Sequence, residues 1–166
     1  MWDVLTRYFQ RFPAQSRVAQ TLLTHGFRVS KEGVFAGDVA ISDTALSRAC
    51  NVDRRIIQAT VQTIRDEPEL WNVYSRLQPT TLLKDAAPAL RWGVIEIVPS
   101  DARAPGILAH VAGVISARGI SIRQAIVDDP DLVEEPRLYV ITESPVPLDA
   151  ISEIRDGKGV KSVVIS

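Results

Sequence analysis

Arg54, Gln58, Gln62 and Arg65 recur at spacings of four, four and three residues, with Arg55 beside the first of them. On an α-helix that spacing gathers them on one face. Arginine and glutamine can hydrogen-bond base edges and phosphates from a helix lying in the major groove, so the chemistry this group offers is recognition of duplex DNA. The plainer alternative is a solvated polar face, because many helix pairs of this kind touch no DNA. A second group surrounds Pro105 and Gly106, followed by Ile107. Gly106 lets a ligand approach the backbone closely, and the free N–H groups of a first helical turn favour a carboxylate such as an amino acid carries. The alternative there is an ordinary helix start with proline near its first turn. Arg123 and Gln124, further along, can serve as polar partners of a ligand or can simply occupy an exposed sheet position.

Other chemistries find no support. Cys50 is the only cysteine, so no internal disulfide or cysteine-rich zinc site is available, and a small buried apolar role fits it better. His25 and His110 lie in separate segments without ligand-type neighbours at metal spacing. No nucleophile stands with a nearby histidine, and no glycine loop of the phosphate-cradling kind occurs. Asp128 and Asp129 sit in a proline-containing turn and read as solvated rather than catalytic. No catalytic residue, metal or cofactor is therefore expected, and the chain reads as a binding protein rather than an enzyme.

The elements that must position these groups fall into two parts. The 166 residues, 46% hydrophobic and 23% charged, suit two small globular domains better than one large one. No apolar run approaches the roughly 20 residues that cross a bilayer, and Asp3 stands where a secretory signal would be basic and then apolar. A cytoplasmic protein without membrane contact is expected. Residues 1–90 carry 11 Lys and Arg against 9 Asp and Glu, and residues 91–166 carry 8 against 11, a difference too small to demonstrate a nucleic-acid partner by itself, which permits one where the positive charges gather on one face.

Within 1–77 the pattern is mainly helical. Trp2, Leu5, Phe9 and Phe12 predict a first helix ended by Pro13, and Val18, Leu22 and Leu23 a second one stopped at His25-Gly26. Residues 27–41 read as a loop or small hairpin. Ser42 is placed to cap a helix through Arg48, Cys50-Asn51-Val52 to turn, and Asp53 to cap a helix to about Arg65 whose stripe is Ile57, Val61 and Ile64. That is a helix-turn-helix layout. A short helix over 69–77 follows, and 78–90, with Pro79 and Pro88, reads as a linker.

Residues 91–166 read as strand, helix, strand, strand, helix, strand. Two strand-helix-strand crossovers joined by a hairpin give the ferredoxin-like βαββαβ arrangement, and the whole chain is of the α+β class. Trp92, Val94 and Val98 alternate with Ile95 and Ile97, so one side of the first strand faces the helices and the other is open to an interface. The run from Asp101 through Pro105-Gly106-Ile107, with a helix ending at Arg118-Gly119-Ile120-Ser121-Ile122, resembles the ACT domains that sense amino acids and related metabolites. With NVDRRIIQATVQTI, RWGVIEIVPSD, SIRQAIVDDPDL and PRLYVITESPVP, the whole chain is similar to the mostly archaeal ACT-domain regulators of amino-acid metabolism. The resemblance implies a ligand site that includes Asp101, an amino acid or related metabolite as ligand and a homodimer or larger assembly, and with the helix face over 53–65 the expected role is a DNA-binding transcriptional regulator. The rival expectation is a metabolite-binding module that docks on an enzyme instead.

Overall fold

The computed structural model describes residues 5–166. The chain is of mixed α+β composition and divides into two compact units, Met1–Thr81 and Leu82–Ser166.

In the first unit Trp2 of the expected first stripe lies outside the described residues. Leu5 and Phe9 are buried, whereas Phe12, expected to join them, is 54% exposed where the chain turns into the next helix. Helix α1 (Pro13–Thr24) starts with proline at its first position, where a missing N–H costs nothing, and buries Val18, Ala19, Leu22 and Leu23. It stops at His25, and Gly26 follows at φ 65°, a left-handed conformation that suits glycine. The segment read as loop or small hairpin is a three-stranded antiparallel sheet, β1 (Arg28–Val29), β2 (Val34–Ala36) and β3 (Val39–Ile41).

Two helices and a tight turn come next. Helix α2 (Asp43–Cys50) is capped by Ser42, whose hydroxyl accepts from the Ala45 N–H at 3.2 Å. It closes on Asn51 at φ 49°, with the Val52 N–H donating back to the Ser47 carbonyl at 3.0 Å. Asparagine is among the few residues that accept this conformation readily. Helix α3 (Arg54–Asp66) is capped by Asp53, which accepts from the Arg55 N–H at 2.8 Å, and it buries Ile57, Thr60, Val61 and Ile64. Helix α4 (Pro68–Tyr74) buries Leu70 and Tyr74, and the Tyr74 hydroxyl donates to the Ala19 carbonyl at 3.0 Å, tying it to α1.

The second unit holds β4 (Gly93–Pro99), α5 (Ile107–Ala117), β5 (Ile122–Val127), β6 (Leu138–Thr142), α6 (Leu148–Arg155) and β7 (Val160–Ile165). Its sheet is antiparallel throughout in the order β5-β6-β4-β7, so β5 and β7 are edges. This strand, helix, strand, strand, helix, strand order is the split βαβ topology. Ile95 and Ile97 of β4 meet Val111 and Ile115 of α5 and Ala150 and Ile154 of α6, which places the main core on one sheet face.

The opposite face, expected to be open to an interface, is covered by the unit's own chain. Ala87, fully buried in a 3-10 turn (Ala87–Leu90), packs with Val94 and Ile141, and Leu83 and Trp92 lie against them. The Leu83 N–H donates to Gln124 Oε1 at 2.9 Å. Lys84 Nζ lies 2.7 Å from Glu96 Oε1, and Arg137 Nη1 lies 2.9 Å from Glu96 Oε2. Much of the stretch that reads as linker is thus a strap over the sheet.

Candidate functional site

The helix face of the first unit is built by α3 and the end of α2. Arg54, Arg55, Gln58 and Gln62 are all exposed. The glutamines are engaged locally: Gln58 Nε2 donates to Asp43 Oδ2 at 3.0 Å, and Gln62 Nε2 to Asp66 Oδ1 at 2.8 Å. Arg65 is set apart from them. Its Nε and Nη2 both donate to the Ser30 carbonyl, at 3.0 and 2.8 Å, so its guanidinium fastens α3 to the turn between β1 and β2. Arg48, on the last turn of α2, is also exposed. Among the described residues the side chains of Arg48, Arg54 and Arg55 have no hydrogen bond or ion pair. Arg48 escaped the sequence reading because it lies on the other helix. The turn through Asn51 is the signal that could have found it.

In the second unit Asp101, Pro105, Gly106 and Ile107 come together in the loop from β4 into α5. Gly106 is the residue before the helix, at φ 95°, and no side chain caps α5. A Cβ built there would meet nothing within 4 Å, so the space beside it is open. The first-turn N–H groups of an uncapped helix carry partial positive charge and lack intrahelical partners. Asp101 Oδ1 accepts from the Arg103 N–H at 2.9 Å, which shapes the loop while leaving the residue exposed.

Two depressions flank this loop and share Ala104 and Gly106. One is broad, about 710 Å³, and includes Ser100, Asp101, Arg103, His110 and Lys158. The other is an apolar cavity of about 130 Å³ lined by Ile97, Ile107, Val127 and Leu138, with Asp128 and Arg137 at its polar side. The sequence reading missed this cavity. Its walls come from β4, α5, β5 and β6, and their convergence depends on strand order rather than on any local motif.

Arg123 and Gln124 are not part of that loop. Val127 pairs with Leu138 beside the cavity, whereas Gln124 pairs with Ile141, three residues back along β5 and roughly 10 Å away at a strand's usual rise. The Arg123 guanidinium stacks 4.6 Å from the Trp92 ring centroid, and Gln124 receives the Leu83 N–H, so both hold the strap. Glu96, only 4% exposed, is the electrostatic centre of the same face. The Lys84 hydrogen bond above all, then that of Arg137, holds its carboxyl below the ordinary value, against burial, which pushes it up. Arg137 also contributes its backbone N–H, which donates to Asp128 Oδ2 at 3.1 Å.

No helix among the described residues is long and apolar enough to cross a membrane. Among the same residues no group of three His, Cys, Asp or Glu side chains could hold a metal ion. No protein-family model matches the chain, and no curated protein matches it significantly.

Proposed function

We propose that the chain is a ligand-responsive regulator of amino-acid metabolism that acts in the cytoplasm, binds duplex DNA through α3 and senses an amino acid or related metabolite through an ACT-type second unit. The observation that carries the reading is a pairing on one chain. A capped helix, turn and helix present three arginines without a partner among the described residues, and a split βαβ unit has an uncapped helix and a cavity beside the same glycine loop. Exposed cations on a helix suit phosphates, and the arginine and glutamine side chains of α3 suit base edges. The split βαβ topology serves many roles, so the ligand-sensing role rests on the loop and the ACT resemblance rather than on the fold. Catalysis is no part of the proposal.

Assembly as a homodimer or larger belongs to the same reading. Strand β7 is an edge, and Val164 and Ile165 on it are exposed, which favours edge pairing with a second copy. One observation favours the rival, a module that docks on a protein instead of DNA. Asp43 and Asp66 occupy the amides of Gln58 and Gln62 and place negative charge near the arginines. Selection of duplexes from a random pool decides between the two. The proposal expects enrichment of a defined site whose binding weakens as salt rises. Absence of any duplex binding at 50 mM salt would leave the docking module.

A further inference from the structure

We propose that the strap, residues 82–91, is a releasable latch: it lifts off the β4–β6 face as one piece while the rest of the second unit stays folded, and the Lys84–Glu96 ion pair keeps it shut. The inference concerns the second unit alone and does not rest on either binding role proposed above. Among the described residues no backbone–backbone hydrogen bond joins the strap to a strand. Its amides turn inward instead: the Ala87 N–H donates to the Leu83 carbonyl at 2.8 Å, and the Arg91 N–H to the Pro88 carbonyl at 3.0 Å. The hold on the sheet therefore runs through side chains, and its apolar part is small. Ala87 is the one buried residue of 82–91, and it contributes only a methyl group. Leu83 is half-buried beside it, whereas Leu82 and Leu90 are 44% and 53% exposed.

Backbone strain works against the closed position. The chain reverses from the strap into β4 through Arg91, a non-glycine residue at φ 60°. That left-handed conformation is unfavourable for a residue with a Cβ and relaxes once the strap is free. Charge opposes the strain. Of the two cations on the buried Glu96 carboxylate, Arg137 belongs to the sheet and Lys84 to the strap. The Lys84 ammonium also lies 5.2 Å from the centroid of the Tyr139 ring, a second attraction that only the closed strap makes. Removing this one ammonium leaves Glu96 with Arg137, so the loss falls on the closed state. A segment held this thinly opens below the free energy of global unfolding, as a cooperative unit of its own. Opening bares Val94, Ile141 and Glu96, which the strap covers. It also gives the freed residues to the connection with the first unit, each adding up to about 3.5 Å of reach. The latch thus switches that connection between a short and a long form.

Thiol labelling of the full chain under native conditions tests this, with Cys50→Ala removing the natural thiol. Val94→Cys puts a thiol beneath the strap, and Ile97→Cys puts one in the main core on the other face. With an aromatic disulfide reagent the first should react at least about a hundredfold faster than the second, at a rate that barely changes in urea well below the unfolding midpoint. Adding Lys84→Met should speed the Val94→Cys reaction at least about tenfold, while Lys84→Arg, which keeps the charge, should change it less than about threefold. Equal rates and equal urea dependence for the two thiols overturn the proposal, because the strap then leaves only on global unfolding. Unchanged labelling with Lys84→Met overturns it too, because the ion pair is then no lock. Hydrogen exchange in the unsubstituted chain guards against a disturbance by the new cysteine. The Leu83 and Ala87 amides should exchange at least about a hundredfold faster than those of β6 after correction for intrinsic rates, and equal protection overturns the latch.

Discussion

Replacing Arg54 and Arg55 together with alanine should change how DNA binding responds to salt, by an amount that follows from the cations left on the helix face. Among the described residues Arg48, Arg54 and Arg55 are arginines there without a partner, while Arg65 is committed to the Ser30 carbonyl. If each of the three neutralises one phosphate, log K falls with log salt at a slope of about −2.7 per bound subunit. Raising salt from 50 to 200 mM then weakens binding about 40-fold. The double variant keeps only Arg48, so its slope is about −0.9 and the same change of salt costs roughly 3.5-fold. If two subunits engage one duplex, both slopes double and their ratio is preserved. Fluorescence anisotropy with a selected duplex at several salt concentrations reads these slopes directly. A double variant with the parent's slope and affinity would refute the assignment of α3 as the DNA-contacting helix.

Arg65→Ala should behave in the opposite way, losing about 1.5–3 kcal/mol of stability by denaturant titration because two hydrogen bonds to Ser30 disappear, and leaving the salt slope unchanged. A changed slope with unchanged stability would return Arg65 to the DNA face. Gly26→Ala places a Cβ 2.4 Å from the Gln78 carbonyl oxygen at φ 65°, so it should lower stability by about 2 kcal/mol or more, and an unaltered melting temperature would contradict the packing of that turn. Glu96 has a folded-state pKa below its ordinary value of 4.5, so its contribution is present above that pH and is lost as pH falls through the folded value. Glu96→Gln should therefore flatten the loss of stability below about pH 4.5, and parallel urea midpoints for parent and variant from pH 7 to 3 would show that the Lys84–Glu96–Arg137 cluster does not hold the strap.

What could be read from the sequence was what local physics specifies. Ser42 and Asp53 act as caps, Asn51 closes a turn, and Ile57, Val61 and Ile64 share a stripe, all within reach of neighbouring residues. Alternating branched residues and the glycine after α5 likewise mark the strand and helix order of the second unit. The small sheet was not legible, since strands of two and three residues are too short for an alternating pattern. Nor was the strap, whose hold depends on partners distant in sequence: Leu83 with Gln124, and Lys84 with Glu96. The same cause separated Arg123 and Gln124 from the glycine loop.

A ligand-controlled DNA-binding chain must let ligand and DNA act on one another, and reciprocal titration measures that coupling. DNA affinity is determined with and without a saturating concentration of whichever of the twenty amino acids binds, and the affinity for that amino acid is determined with and without the duplex. Each affinity should change by the same factor, about 5- to 150-fold for a coupling of about 1–3 kcal/mol. An amino acid that binds tightly while DNA affinity stays the same, and the reverse, would contradict it.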